Sequence, residues 1–204
     1  ESNGKLWVVY RDKANGTYDI KVAYSDNNGS TWTNETVRAG VATTTLRPNA
    51  VGDQTQLDQT PASGDNYDKV DEAVADDDTT YVGKTGVFAE LYDLYNIESL
   101  VGWTGDIASI TITARANSGA LATPNYIKIK TGGIVYASPS LGNTGGVYSS
   151  LITANWVTNP NTGVAWTEAD IASLQIGFAM ASNAGVNDFR LTQIYVEVKS
   201  ATVN

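Results

Sequence analysis

The sequence contains neither cysteine nor histidine. Disulfides, structural zinc sites, thiol nucleophiles and every histidine-based triad or metal site are thereby excluded. Stability has to come from packing and hydrogen bonds, and the missing cysteine identifies no redox compartment. Positive charge is scarce as well: 13 Lys and Arg stand against 22 Asp and Glu, a net charge of −9. Long-range repulsion then disfavours nucleic acid, anionic membrane surfaces and acidic glycans, while neutral partners, proteins and cations are easier to accommodate. No run of about 18 apolar residues occurs, so no membrane insertion is expected. The chain opens on Glu1 with no basic-plus-apolar leader, and we expect it to be an excised piece of a longer protein.

Helical patterning is nearly lacking too. One short helix is expected, where Thr167 caps the amide of Asp170 and Glu168 to Leu174 follows, its acids at the favourable end. What fills the chain is alternation of period two. TYDIKVAY sets Tyr18, Ile20, Val22 and Tyr24 on one face. IASITITAR buries Ala108, Ile110, Ile112 and Ala114, and NYIKIK buries Ile127 and Ile129. LQIGFAM buries Leu174, Ile176, Phe178 and Met180, and RLTQIYVEV sets Thr192, Ile194, Val196 and Val198 opposite Leu191, Gln193, Tyr195 and Glu197. Turn pairs separate these runs, at Asn15-Gly16, Asn28-Gly29, Gly132-Gly133, Gly145-Gly146 and Ala184-Gly185. The pattern predicts an all-β antiparallel sandwich, jelly-roll-like, with one short helix, preceded by a β-hairpin. We place the hairpin at 1–38, a linker poor in large apolar residues at 39–46, and the sandwich at 47–204.

The stretch YSDNNGSTW, Tyr24 to Trp32, resembles the Asp-box turn of sialidase-type propellers, within a hairpin spanning residues 5–37. Ser25, Gly29, Thr31 and Trp32 match the pattern; Asn27 stands where the acid belongs, and Asp26 lies one place earlier. In such families the box lies away from the catalytic centre, so the resemblance implies a turn and no activity. A propeller needs roughly 40–50 residues for each of several blades, far more chain than this. The five arginines show no motif resembling a sialidase clamp. A hairpin with an open edge and an apolar face is expected to dock on a β-surface, which predicts homo-oligomers or filaments through strand contacts. From RPNAVGDQTQL through TNPNTGVAWTEADIASLQIGF to RLTQIYVEV, about residues 45–199, the order of segments resembles a β-sandwich domain of tailed-bacteriophage structural and fibre-associated proteins. That resemblance implies a module for binding and assembly on a virion surface or outside a cell.

Candidate site residues are few. Asp71, Glu72, Asp76, Asp77 and Asp78 form an oxygen-rich segment of the kind that holds Ca²⁺, with no EF-hand spacing, against the alternative of a solvated turn leading into TTYVG. Trp103, Trp156 and Trp166 are the candidate ligand-binding rings, with core packing as the alternative. Paired acids for glycoside hydrolysis would be Asp71 with Glu72, which point to opposite faces of a strand, or Glu168 with Asp170, which helix capping explains. No catalytic residue or bound cofactor is expected, apart from the Ca²⁺ alternative. The expectation is a non-enzymatic assembly module; the alternative is a carbohydrate-binding module of a secreted glycan-acting enzyme, meeting a cell-surface glycan.

Overall fold

The computed structural model describes residues 6–14, 17–37, 42–118, 125–149, 152–182 and 188–201, with backbone alone for 11–20 and 35–37. The expected turns at Asn15-Gly16 and Ala184-Gly185 lie outside the described residues. The chain divides into two units, residues 1–42 with 200–204, and residues 43–199.

The first unit is a three-stranded antiparallel sheet rather than a hairpin, ordered β1 (Leu6–Ala14), β2 (Thr17–Ser25), β3 (Thr33–Val37). The turn between β2 and β3 carries Asn28 and Gly29 at φ 56° and 87°, the left-handed region that Asn and Gly tolerate. Ser25 Oγ accepts from the Gly29 amide at 2.8 Å, and Asn27 Oδ1 accepts from the Thr31 amide at 2.8 Å. Asn27 Nδ2 donates to Thr31 Oγ1 at 2.7 Å, and the Trp32 indole donates to the Gly29 carbonyl at 3.1 Å. An amide at position 27 therefore supplies both an acceptor and a donor, where a carboxylate offers acceptors alone. The face predicted to be buried is not: Val22 and Tyr24 are half-buried, while Ala23 and Ser25 on the other face are buried. The turn draws Ser25 inward. The side chains of Tyr18 and Ile20 lie outside the described residues.

The second unit is the predicted all-β sandwich. One sheet runs β11 (Ile134–Ala137), β10 (Tyr126–Thr131), β13 (Gln175–Ser182), β8 (Phe88–Ile97), β5 (Pro48–Val51). The other runs β12 (Ile152–Trp156), β9 (Ile107–Ser118), β14 (Asp188–Ser200), β7 (Tyr81–Thr85), β6 (Asp58–Thr60). The remaining strand, β4 (Thr43–Leu46), pairs with Val196–Lys199 of β14, so the second half of the stretch read as a linker is strand. Threonine-rich TTTL has the β-branched side chains that a pleated surface favours.

Alternation places Ile110, Ile112, Ala114 and Ala116 of β9 against Ile127 and Ile129 of β10 and Ile176, Phe178 and Met180 of β13, all within one buried core. Burying each large side chain of this set stabilises by roughly 1.5–3 kcal/mol relative to leaving it in water. Phe178 of one sheet stacks on Phe189 of the other, ring centroids 5.6 Å apart. In β14 the predicted register fails at its start. Leu191, Thr192, Gln193 and Ile194 are all buried, because Thr192 and Gln193 bond Asp76 and the Glu72 carbonyl while Leu191 and Ile194 join the core.

Among the described residues, helical structure is limited to η1 (Asn66–Lys69), a single 3₁₀ turn, and α1 (Glu168–Ala172). As expected, Thr167 Oγ1 accepts from the Asp170 amide at 3.1 Å, and Asp170 answers by accepting from the Thr167 amide at 2.9 Å. Asp93 of β8 is buried, and its carboxylate is fully occupied by the Gln56 and Leu57 amides, the Asn66 amide group and the Tyr95 hydroxyl, at 2.6 to 3.1 Å. It ties the loop before β6 and η1 to the first sheet. The β10–β11 turn is Gly132-Gly133, at φ 57° and 82°, a two-residue hairpin loop of the type that twists with its strands. A Cβ on Gly132 would lie 2.1 Å from Asn161 Nδ2, so the 157–165 loop seats directly on this turn.

Candidate functional site

The acidic segment from Asp71 to Asp78 crosses the outer face of the second sheet and is fastened there by protein donors. Arg115 of β9 grips Asp77 bidentately, at 2.6 and 2.7 Å. Asp78 accepts from the Tyr148 hydroxyl at 2.8 Å and from Arg190 of β14. Those bonds, Tyr148 first, hold the Asp78 carboxyl below its usual range, while burial and Asp78 push the Tyr148 phenol up. Asp76 accepts from Thr80 Oγ1 at 3.0 Å and Thr192 Oγ1 at 3.2 Å, and Glu72 Oε1 lies 2.6 Å from the same Thr80 hydroxyl. Burial raises the carboxyls of Asp71 and Glu72. Among the described residues, no group of three or more acids is arranged to hold a metal ion. The segment works as a strap, its charges matched to arginines far away in sequence.

The three tryptophans separate. Trp166 is 3% exposed, and its indole donates to the Trp156 carbonyl at 3.1 Å, so it belongs to the core. Trp103 is half-buried, with its indole donating to the Gly105 carbonyl at 3.0 Å. Trp156 is half-buried against the core edge and also lines a cavity of about 260 Å³. The cavity lies where the two sheets end, since β11 closes one and β12 the other. Pro139 and Leu141, which follow β11, supply the apolar wall with Ala154, and Ser138, Thr153 and Asn155 supply polar atoms.

Local sequence explains this arrangement. In β12, ITANW alternates Ile152, Ala154 and Trp156 toward the core with Thr153 and Asn155 toward solvent. Ser138 is already engaged: its hydroxyl donates to the Pro139 carbonyl at 2.8 Å and accepts from the Ile127 amide at 3.1 Å. Thr153 and Asn155 have no side-chain partner among the described residues. Among the described residues, no ionisable side chain lines the cavity. Sequence reasoning found Trp156 and missed the rest, because Pro139, Leu141 and Asn155 meet through the ends of two different sheets.

Two other surfaces have the right residue types but are charged. On the outer face of the first sheet, Lys128 Nζ lies 5.4 and 5.6 Å from the ring centroids of Tyr126 and Tyr92 and bonds Glu90 at 2.8 Å. Beside it Lys130 pairs with Asp53, and the Asn96 amide donates to the Val51 carbonyl at 2.6 Å. A second cavity, of about 240 Å³ beside Tyr81, contains the Lys84–Asp58 ion pair at 2.9 Å.

No family model and no curated protein matches this chain. Among solved structures it is similar to the carbohydrate binding module CBM6cm-2 from Cellvibrio mixtus lichenase 5A, in complex with cellotriose. That match has 15% identity over 75% of this chain and 95% of the other, at a TM-score of 0.29. It is also similar to a structure determined with a xylogluco-oligosaccharide, at 12% identity over 93% of this chain and 48% of the other, TM-score 0.29. This chain thus spans about half the length of that second structure. At such scores neither likeness bears on what this chain binds.

Proposed function

We propose that this chain is a non-catalytic carbohydrate-binding module whose ligand site is the Trp156 cavity. One observation carries the reading: a half-buried indole borders an uncharged cavity, and at its rim Thr153 and Asn155 have no side-chain partner among the described residues. Sugars present an apolar C–H face and a rim of hydroxyls, and an aromatic wall beside one or two polar groups matches both. Nothing at this site performs acid–base work. Of the paired acids, Asp170 is occupied in the α1 cap, and Asp71 and Glu72 lie in the strap. Retardation of the chain in affinity electrophoresis through gels containing a neutral polysaccharide, reduced at least tenfold by Trp156→Ala with the fold verified by circular dichroism, is the expected outcome; unretarded migration in every neutral polysaccharide tried refutes it.

The assembly reading rests on a separate observation. Leu6, Trp7, Val8, Val9 and Tyr10, consecutive on the edge strand β1, are all exposed, Val9 at 68%. An apolar edge of this kind is a template for strand addition, which supports a self-associating module of a virion surface or extracellular fibre. Light scattering should then give a mass that rises with concentration and falls to the monomer in Val8→Lys/Val9→Lys; a constant monomer mass for the native chain ends this reading.

A further inference from the structure

We infer that the Trp156 cavity takes a single uncharged sugar ring, the neighbouring units of any chain remaining in solvent. The inference rests on the carbohydrate-binding reading and names its ligand. Size sets the first limit. A cavity of about 150 Å³ is known to accept benzene, so about 260 Å³ gives room for one six-membered ring with its hydroxyls. The aromatic content sets the second. Among the described residues, Trp156 is the one aromatic side chain lining the cavity, whereas gripping several successive sugars by stacking requires a ring for each. The residue after it on the surface is Val157, 66% exposed, which offers no platform for a second unit.

Charge sets the third limit. With no cation in the lining and a net charge of −9 on the chain, a uronic acid or sulfated sugar would lose its hydration without gaining a counter-charge. Ser138 is committed to the Pro139 carbonyl and the Ile127 amide. Asn155 and Thr153 alternate to the solvent face of β12, so they meet a bound ring only from the rim, and the Trp156 stack is its main contact. One stacked ring with rim contacts alone implies a dissociation constant on the order of 1 mM.

The test is a ¹H–¹⁵N titration of the full chain, following the Trp156 indole and Asn155 amide signals. The probes are methyl glycosides of glucose, galactose, mannose and xylose, the corresponding di- and tetrasaccharides, and methyl glucuronide. At least one neutral glycoside should shift both signals. Its tetrasaccharide should bind no more than about threefold tighter, affinity should not change between 0.05 and 0.5 M salt, and the glucuronide should not bind. Trp156→Ala should weaken binding at least tenfold, while Thr153→Ala/Asn155→Ala, at exposed rim positions that leave the core untouched, should weaken it no more than about threefold. A tenfold or greater gain with chain length, or preference for the glucuronide, overturns the single neutral ring while leaving carbohydrate binding intact. If saccharides bind with these two signals unmoved, the cavity is not the site; if no saccharide binds, the functional reading fails with it.

Discussion

The N-terminal sheet and the sandwich are built from the same local pattern and end with opposite burial. Both read as alternating strands joined by Gly- or Asn-containing turns. In the sandwich, β9, β10, β13 and β14 deliver fully buried side chains to a shared core. In the small sheet, Ala23 and Ser25 are the buried residues among those described, and five consecutive apolar residues of β1 face outward. Alternation therefore specifies a strand, and burial requires a second layer. Where that layer is present, dispersion and the hydrophobic effect hold the unit; in the small sheet, the turn around Ser25 and Asn27 carries much of the local order.

The largest test of this contrast is Asp93→Ala. It leaves four donors in the sandwich without an acceptor, and a buried donor left unpaired costs about 1–3 kcal/mol each. Partial rehydration reduces the sum, and we expect a loss of roughly 3–5 kcal/mol in urea denaturation, with the Ser25–Trp32 amides keeping their native hydrogen-exchange protection. Equal loss of protection in both regions would mean that they unfold as one.

Ser25→Ala is the converse. Removing the acceptor of the Gly29 amide should cost about 1 kcal/mol, read as faster exchange at Gly29 and Thr31, with the sandwich transition unmoved. A shift of the main transition would show that the turn supports more than its own sheet.

Glu72→Gln probes the strap by pH. Thr80 Oγ1 has one proton and two carboxylate neighbours, Glu72 Oε1 at 2.6 Å and Asp76 at 3.0 Å, so a proton on Glu72 completes the chain of bonds. Burial first, then Asp76 and Asp71, raise the Glu72 carboxyl, while Arg47 and Gln193 bond the Glu72 carbonyl. A raised carboxyl contributes stability that is complete below the unfolded value of about 4.3 and is lost as pH rises through the folded value. The glutamine variant carries its donor at every pH. It should melt above the native chain at pH 7.5, and the two curves should converge toward pH 4; parallel curves would remove the proton from the account.

The smallest expected effect is that of calcium. With Asp76, Asp77 and Asp78 engaged by Thr80, Thr192, Arg115, Tyr148 and Arg190, Ca²⁺ added to chelator-treated protein should leave the melting temperature unchanged. A rise would reinstate the cation reading of the acidic segment.

Much of this architecture was legible in the sequence, because Ile127, Ile129, Ile176, Phe178 and Met180 announce their faces by alternation alone, and Thr167 announces the α1 cap. The two-sided burial at Leu191–Ile194 was not legible, since Thr192 and Gln193 are covered by Asp76 and Glu72, which no window of β14 contains. Nor was the strap, whose acids look solvated until Arg115 and Arg190, dozens of residues away, are brought alongside. The cavity was half legible. Trp156 is a visible candidate in any sequence, but the pairing of sheet ends that brings Pro139 and Leu141 beside it is a property of topology.

The seat of the 157–165 loop on Gly132 carries a consequence for descent. Because the Asn161 side chain occupies the space a side chain at 132 would need, a larger residue there requires that side chain to swing aside and give up its bond from the Tyr136 hydroxyl, or to be replaced. Inheritance should therefore couple position 132 with position 161.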